Sequence, residues 1–237
     1  MWMDLDLGML GGYDRMLTIF SPEGRLIQVE YAKQAARSGS TAIGLVTREG
    51  VVIVADKKVH NKLVVSSSVE KILIVDDHII ASFAGFIPDG RILLDEAREI
   101  AQRYRIIYGN PINVPLLVRE IGDIMETYTR FSGVRPFGVS LIIAGIDVDP
   151  KLFSLDPSGI YYQYYATVIG EGEEKILKDL EEKYNENLSL IDGIKLGIEL
   201  LEKFLGNNFT INRITVGYIK TGEKPVILEG NEIQKIL

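Results

Sequence analysis

The sequence predicts an α+β fold: a four-layer αββα sandwich, two antiparallel sheets face to face with a helix pair outside each. Three observations carry this reading. The short apolar runs and the helical stripes are grouped as strands, helix pair, strands, helix pair, strands, not alternated singly as in a doubly wound parallel sheet. Each helix has one apolar stripe, which needs a sheet face to cover it. No linker-like stretch divides the 237 residues, and a chain of that length buries about three quarters of its unfolded surface as one domain.

The elements follow in order. Residues 1–12 mix Gly8, Gly11 and Gly12 with Asp4 and Asp6. That composition fixes no conformation and reads as a mobile tail; residues 13–237 read as a single domain. Ser21-Pro22-Glu23-Gly24 is a turn, and 25–37 a helix with Leu26, Val29, Ala32 and Ala36 at helical spacing. Ser38-Gly39 stops it. Strand pairs 40–47 with 51–55 and 72–75 with 79–83 flank Arg48-Glu49-Gly50 and Asp76-Asp77. After Pro88, one helical stripe holds Ile92, Leu93, Ala97, Ile100, Ala101 and Tyr104; a second holds Leu117, Val118, Ile121, Ile124, Met125 and Tyr128. Strands 139–146, 151–155 and 160–169 turn at Asp149-Pro150 and Asp156-Pro157-Ser158-Gly159. Helices 173–184 and 190–205 follow, the second striped by Ile191, Ile194, Ile198, Leu201 and Leu205. Strands 213–218 and 225–228 close the set.

Composition excludes several function classes. With 26 basic and 33 acidic residues the net charge is −7, which argues against a nucleic-acid binder. The absence of cysteine excludes disulfides, thiolate metal sites and cysteine nucleophiles. Two histidines, His60 and His78, lack the spacing of a metal pair and read as surface residues. No run is long and apolar enough to cross a membrane, and the N-terminus lacks the basic region of a signal or transit peptide. The chain reads as cytoplasmic, without cofactor or metal. Gly170-Glu171-Gly172 sits where a dinucleotide fingerprint would sit, but Lys175 replaces the third glycine and the glutamates would repel a pyrophosphate. Glu173 and Glu174 read instead as favourable charges in a helix first turn.

The segment that rises above background is Tyr13-Asp14-Arg15, Thr18 through Leu26 (TIFSPEGRL) and Gln28-Val29-Glu30-Tyr31-Ala32. It closely resembles the N-terminal signature of archaeal-type proteasome α subunits. The resemblance continues through Gly39–Gly44, Asp56-Lys57-Lys58, Val69-Glu70-Lys71-Ile72 and Arg135–Ser140, over nearly the whole chain. It implies the N-terminal-nucleophile hydrolase fold, in agreement with the element order.

In the related β subunits the mature N-terminus is a threonine whose free α-amine is the general base. Here Ser40 falls at the nucleophile position, with Asp56 and Lys71 at or near the supporting positions. A hydroxyl needs an adjacent base, and Ser40 is preceded by 39 residues, so its nitrogen is an amide. The upstream residues carry the α signature and read as retained structure. The site is therefore degenerate and the chain noncatalytic. The alternatives are a self-processing peptidase that begins at Ser40, and a free-standing homomeric ring chamber.

The resemblance further implies a homo-heptameric α ring stacked on β subunits. That ring gates the passage of unfolded polypeptide and docks the C-terminal tails of an AAA+ regulatory ATPase. Tyr13, Asp14 and Arg15, with Pro22 and Tyr31, match the gate cluster at the base of the tail. Lys71 matches the lysine that meets an activator's terminal carboxylate, and Gly85, Phe86 and Asp89 match that pocket. Phe86 and Pro88 depart from the usual family pattern and change the pocket's shape. Arg135-Pro136-Phe137-Gly138 reads as a structural turn.

Overall fold

The computed structural model describes residues 19–59, 63–65 and 68–236. The expectations placed on the 1–12 tail, on Tyr13, Asp14 and Arg15, and on His60 lie outside the described residues. Helix α1 (Ile27–Arg37) leads into β1 (Ala42–Thr47), β2 (Gly50–Asp56), β3 (Ile72–Asp76) and β4 (Ile79–Gly85). The first outer helix pair is α2 (Ile87–Tyr108) and α3 (Val114–Arg130). Strands β5 (Val139–Ile146), β6 (Pro150–Leu155), β7 (Tyr161–Tyr164) and β8 (Ala166–Ile169) precede the second pair, α4 (Glu173–Lys183) and α5 (Leu190–Leu205). Strands β9 (Ile214–Lys220) and β10 (Val226–Glu229) and the short α6 (Asn231–Gln234) end the order.

The strands form two five-stranded sheets, β10-β9-β2-β1-β8 and β3-β4-β5-β6-β7, and every neighbouring pair is antiparallel. Strand β2 shows why the sheets must face each other. All seven of its residues are buried, so it lacks the polar alternation of a half-solvated strand and needs cover on both faces. Its inward side meets Ile80, Ile142 and Leu152 of the other sheet, while Val52 and Val54 look outward at Ile194 and Ile198 of α5. On the far side, Leu93, Ala97 and Ile100 of α2 and Leu117, Ile121 and Met125 of α3 cover Phe83, Leu141 and Phe153. The order is therefore helix, sheet, sheet, helix.

Local chemistry fixes the helix ends. Asn113 caps α3 by accepting from Leu116 N at 2.9 Å, and Ser189 caps α5 by accepting from Asp192 N at 3.1 Å. Pro88 sits in the first turn of α2, where a missing N–H costs nothing. Glu173 and Glu174 do lie in the first turn of α4.

Several features depart from the sequence reading, among them Tyr128 of the second stripe, which is exposed. The single strand expected over 160–169 is two strands in different sheets, β7 on β6 and β8 on β1, with Tyr165 at the corner. Unbroken apolar and aromatic character hides such a transfer, because both halves are strand-like. Ile92 and Ile191 are exposed, and Leu94 and Leu190 take the buried positions beside them. A 3.6-residue period leaves one residue of ambiguity at the edge of a stripe.

Thr215 in β9 is 1 % exposed, and its hydroxyl, the side chain's only polar atom, has no partner among the described residues. An unpaired buried hydroxyl costs about 1–3 kcal/mol, and valine keeps its shape. Thr215→Val is therefore expected to raise stability by about 1 kcal/mol, read as a higher urea midpoint at unchanged m-value. A lower midpoint would mean that the hydroxyl is satisfied in solution.

Candidate functional site

The site is built where α1 meets the ends of the two sheets. Val29, Ala32 and Ala36 bury one face of α1, and two glycines allow the contact to close. Gly85 ends β4 at φ 127°, where a Cβ would lie 2.1 Å from Gly138 O and 2.9 Å from the Cα of Ala36. Gly39, just past the helix, would place a Cβ 1.9 Å from Gly85 N. Backbone thus packs on backbone, which only glycine permits. Gly39 O accepts from Glu171 N at 2.8 Å, Thr41 Oγ1 donates to Glu171 O at 2.6 Å, and Lys33 of α1 reaches Asp156 at 3.0 Å across the sheet ends. Chain on both sides of Ser40 is held in place.

Around Ser40 the expected constellation is present, but its bonds go elsewhere. Lys71 Nζ donates to the main-chain oxygen of Ser40 at 2.9 Å and also to Phe83 O. Its target is the carbonyl of Ser40, not the hydroxyl. The side chain is deeply buried, and burial pulls the amine down to about 7, with Asp56 pulling the other way. Asp56 accepts a two-pronged contact from Arg213, Nε to Oδ1 at 2.9 Å and Nη2 to Oδ2 at 2.7 Å. Its Oδ1 also accepts from Lys58 N at 3.0 Å, which steadies Lys58 at φ 42°. Lys57 and Lys58 pair with Glu229 and Glu171, each at 2.5 Å. Every charge of Asp56-Lys57-Lys58 is thereby matched.

The residues expected to meet an activator split into two groups. Phe86 is 51 % exposed and lines a cavity of about 300 Å³ with Gln28, Tyr31, Ala35, Arg135 and Pro136. The Arg135 guanidinium stacks over the Phe86 ring at 5.3 Å. Asp89 and Lys71 differ from the expectation: Asp89 is 4 % exposed and Lys71 5 %. Arg135 holds both Asp89 oxygens, at 2.6 and 2.8 Å, and Gly138 N donates to Oδ2 at 2.8 Å. Burial pushes the Asp89 carboxyl up, but these donors outweigh it and leave the group below the usual carboxylate range. Asp89 therefore fixes Arg135 under Phe86 rather than offering a carboxylate to the cavity, and Gly85 forms the backbone contact behind it. Arg135-Pro136-Phe137-Gly138 forms the turn expected between α3 and β5, and Arg135 and Pro136 also line the cavity. Of the gate residues described, Pro22 is exposed on the turn before α1, and Tyr31 is 53 % exposed on the rim of the same cavity.

The family model for proteasome subunits matches residues 36–219, and the model for the N-terminal signature of A-type proteasome subunits matches residues 13–35. The chain belongs to the proteasome subunit family. Curated relatives place it on the α side. The proteasome alpha subunit of Archaeoglobus fulgidus is 45 % identical over 90 % of this chain and 87 % of its own. The protein of that name from Picrophilus torridus is 40 % identical over 95 % of this chain and 97 % of its own. That from Methanocaldococcus jannaschii is 48 % identical over 81 % and 74 %. The α-type signature covers α1 up to Ala35, the helix that lies over the sheet ends beside Ser40.

The pairings within the site carry no signal in the sequence. Arg213 lies 157 positions from Asp56 and Arg135 lies 46 from Asp89, so only the folded sheets bring them together. Asp76 and His78, read as a solvated turn and a surface histidine, are partly enclosed. Asp76 is 5 % exposed and bound by Arg105 at 2.6 Å, and His78 Nε2 lies 2.7 Å from Ile112 O. No helix of the described residues is long and apolar enough to cross a membrane, and among them no group of three or more acidic or histidine side chains could hold a metal.

Proposed function

We propose that this chain is a noncatalytic α-ring subunit of a proteasome core particle in the cytoplasm. In that reading seven copies form a ring that gates the passage of unfolded polypeptide to β subunits, which perform the hydrolysis, and an AAA+ ATPase docks on the ring. The observation that carries the noncatalytic part is the chain upstream of Ser40. The Ser40 nitrogen is a peptide amide and cannot act as a base. The preceding helix is packed through Gly39 and Gly85 rather than hung loosely as a removable leader. The α-type signature over the same residues supports the ring assignment.

For docking, the surface we assign is the cavity formed by Phe86, Tyr31, Gln28 and Arg135. Lys71 is 5 % exposed with two of its donors on main-chain carbonyls, so direct contact with a tail carboxylate would require the surrounding chain to open toward it. Lys71 therefore stands behind that surface and holds Ser40 and β4 in register. The gate is assigned to Tyr13, Asp14 and Arg15 with Pro22 and Tyr31.

Two assays test this reading. The purified chain should not hydrolyse peptides alone and should form an active particle with a β-type partner; activity without β would overturn it. Phe86→Ala should leave that basal activity intact and reduce stimulation by a tail-bearing ATPase about tenfold, the loss expected when a central aromatic contact worth more than 1 kcal/mol is removed. Unchanged stimulation would remove the cavity from the docking surface.

A further inference from the structure

Three of the four buried polar side-chain atoms without a hydrogen-bond partner among the described residues lie in one place, far along β3 from Lys71. They are Asp76 Oδ2, His78 Nδ1 and Arg105 Nε. A bulge between Ile74 and Asp76 ends β3 there and turns Asp76 inward. Asp76 Oδ1 is fully used, accepting from Arg105 Nη2 at 2.6 Å and from Asp77 N at 2.8 Å. Asp76 Oδ2 faces His78 Nδ1 across 3.6 Å.

The imidazole tautomer follows from its other end. His78 Nε2 is 2.7 Å from Ile112 O, and a carbonyl only accepts, so Nε2 carries a hydrogen. In a neutral ring Nδ1 would then present a bare lone pair to a carboxylate oxygen, with both atoms screened from water. One proton on Nδ1 removes the conflict, and a small closure of the 3.6 Å gap then satisfies both orphaned atoms with a single charge-assisted hydrogen bond.

We propose that His78 and Asp76 form a proton-operated latch. With the imidazolium in place, the β3–β4 hairpin tip is tied through His78 to Ile112, in the loop between α2 and α3. Loss of the Nδ1 proton leaves the Nε2–H bond to Ile112 in place but sets a bare lone pair against Asp76 Oδ2, so the ring is no longer clamped at both ends and its hold on Ile112 weakens. The surrounding charges leave room for it. Arg105 is committed to Asp76 and reaches Asp77 at 3.5 Å, and Lys224 of the β9–β10 turn lies 3.4 Å from Asp77. From the β5–β6 side, Ile146 N donates to His78 O, and the nearby Asp147 is taken up by Lys151. Asp76 Oδ2 is thus the acceptor left for the ring.

The test uses full-length chain with ¹⁵N-labelled histidine, and His78→Gln assigns the signal. At pH 5.5 a hydrogen-bonded Nδ1–H should be observed for His78, and it should be absent at pH 8.5. Amide exchange in residues 110–114, corrected for intrinsic rate, should be about tenfold slower at the lower pH, the effect of one charge-assisted bond. Asp76→Asn should abolish the pH dependence of that exchange. If Asp76→Asn does not fold, the wild-type Nδ1–H decides alone. No Nδ1–H at either pH, as when water bridges a neutral ring to Asp76, overturns the latch; so does exchange in 110–114 that is equal at both.

Discussion

Gly85→Ala is expected to cost more than about 4 kcal/mol, a magnitude reached only when a buried contact has no way to relax. The new Cβ would lie 2.1 Å from Gly138 O and 2.9 Å from the Cα of Ala36, all of it backbone, and φ 127° is itself unsuited to an L side chain. Because these atoms belong to β5's approach and to α1, the helix should lose its seat before the sheets separate. Limited proteolysis should cut between residues 26 and 39 first. Gly109→Ala is the control. It too has positive φ, at 70°, but a Cβ there meets nothing within 4 Å, so only the backbone cost of roughly 1–2 kcal/mol applies. Equal losses in urea denaturation would mean that α1 is not fixed by this close approach.

The second large effect concerns Lys71. Its amine is drawn by burial to about 7 in the folded protein, against about 10.4 in an unfolded chain. Between these values the unfolded chain holds a proton that the folded protein lacks, so this group makes stability rise with pH. Below about 7 both states are protonated and the full cost of burying the charge is present. Lys71→Met removes that dependence, and also the donor to Ser40 O and Phe83 O. Its stability relative to wild type should therefore be most favourable at pH 6–7. It should worsen by roughly 1 kcal/mol for each pH unit above that. Urea midpoints at pH 6, 7, 8 and 9 measure it. A constant difference would mean that the amine stays charged throughout.

Much of the architecture is legible in the sequence because the helices carry one-sided stripes and the strands are short, apolar and bounded by turn residues. Strand β2 falls where its apolar run and bounding turn place it, and helix α3 where its stripe does. The corner at Tyr165 is not legible, since strand character continues through it while the partner changes from β6 to β1. The candidate site is legible only as far as a family signature reaches. The resemblance marks Ser40, Asp56, Lys71 and Arg135, yet it does not show how they pair. Arg213 satisfies Asp56, the Ser40 carbonyl takes Lys71, and Arg135 consumes Asp89. A charged residue's role in a fold is set by which opposite charge packs against it, and that follows from sheet topology rather than from local spacing.

In the proposed reading, chain upstream of Ser40 is permanent structure and hydrolysis belongs to partner subunits. Intact-mass measurement by native mass spectrometry, on the chain alone and after assembly with a β-type partner, tests it most directly. The full 26.5 kDa chain is expected in sevenfold rings, unchanged by assembly, with peptide hydrolysis only after β is added. A chain shortened to begin at Ser40, with hydrolytic activity of its own, would contradict it.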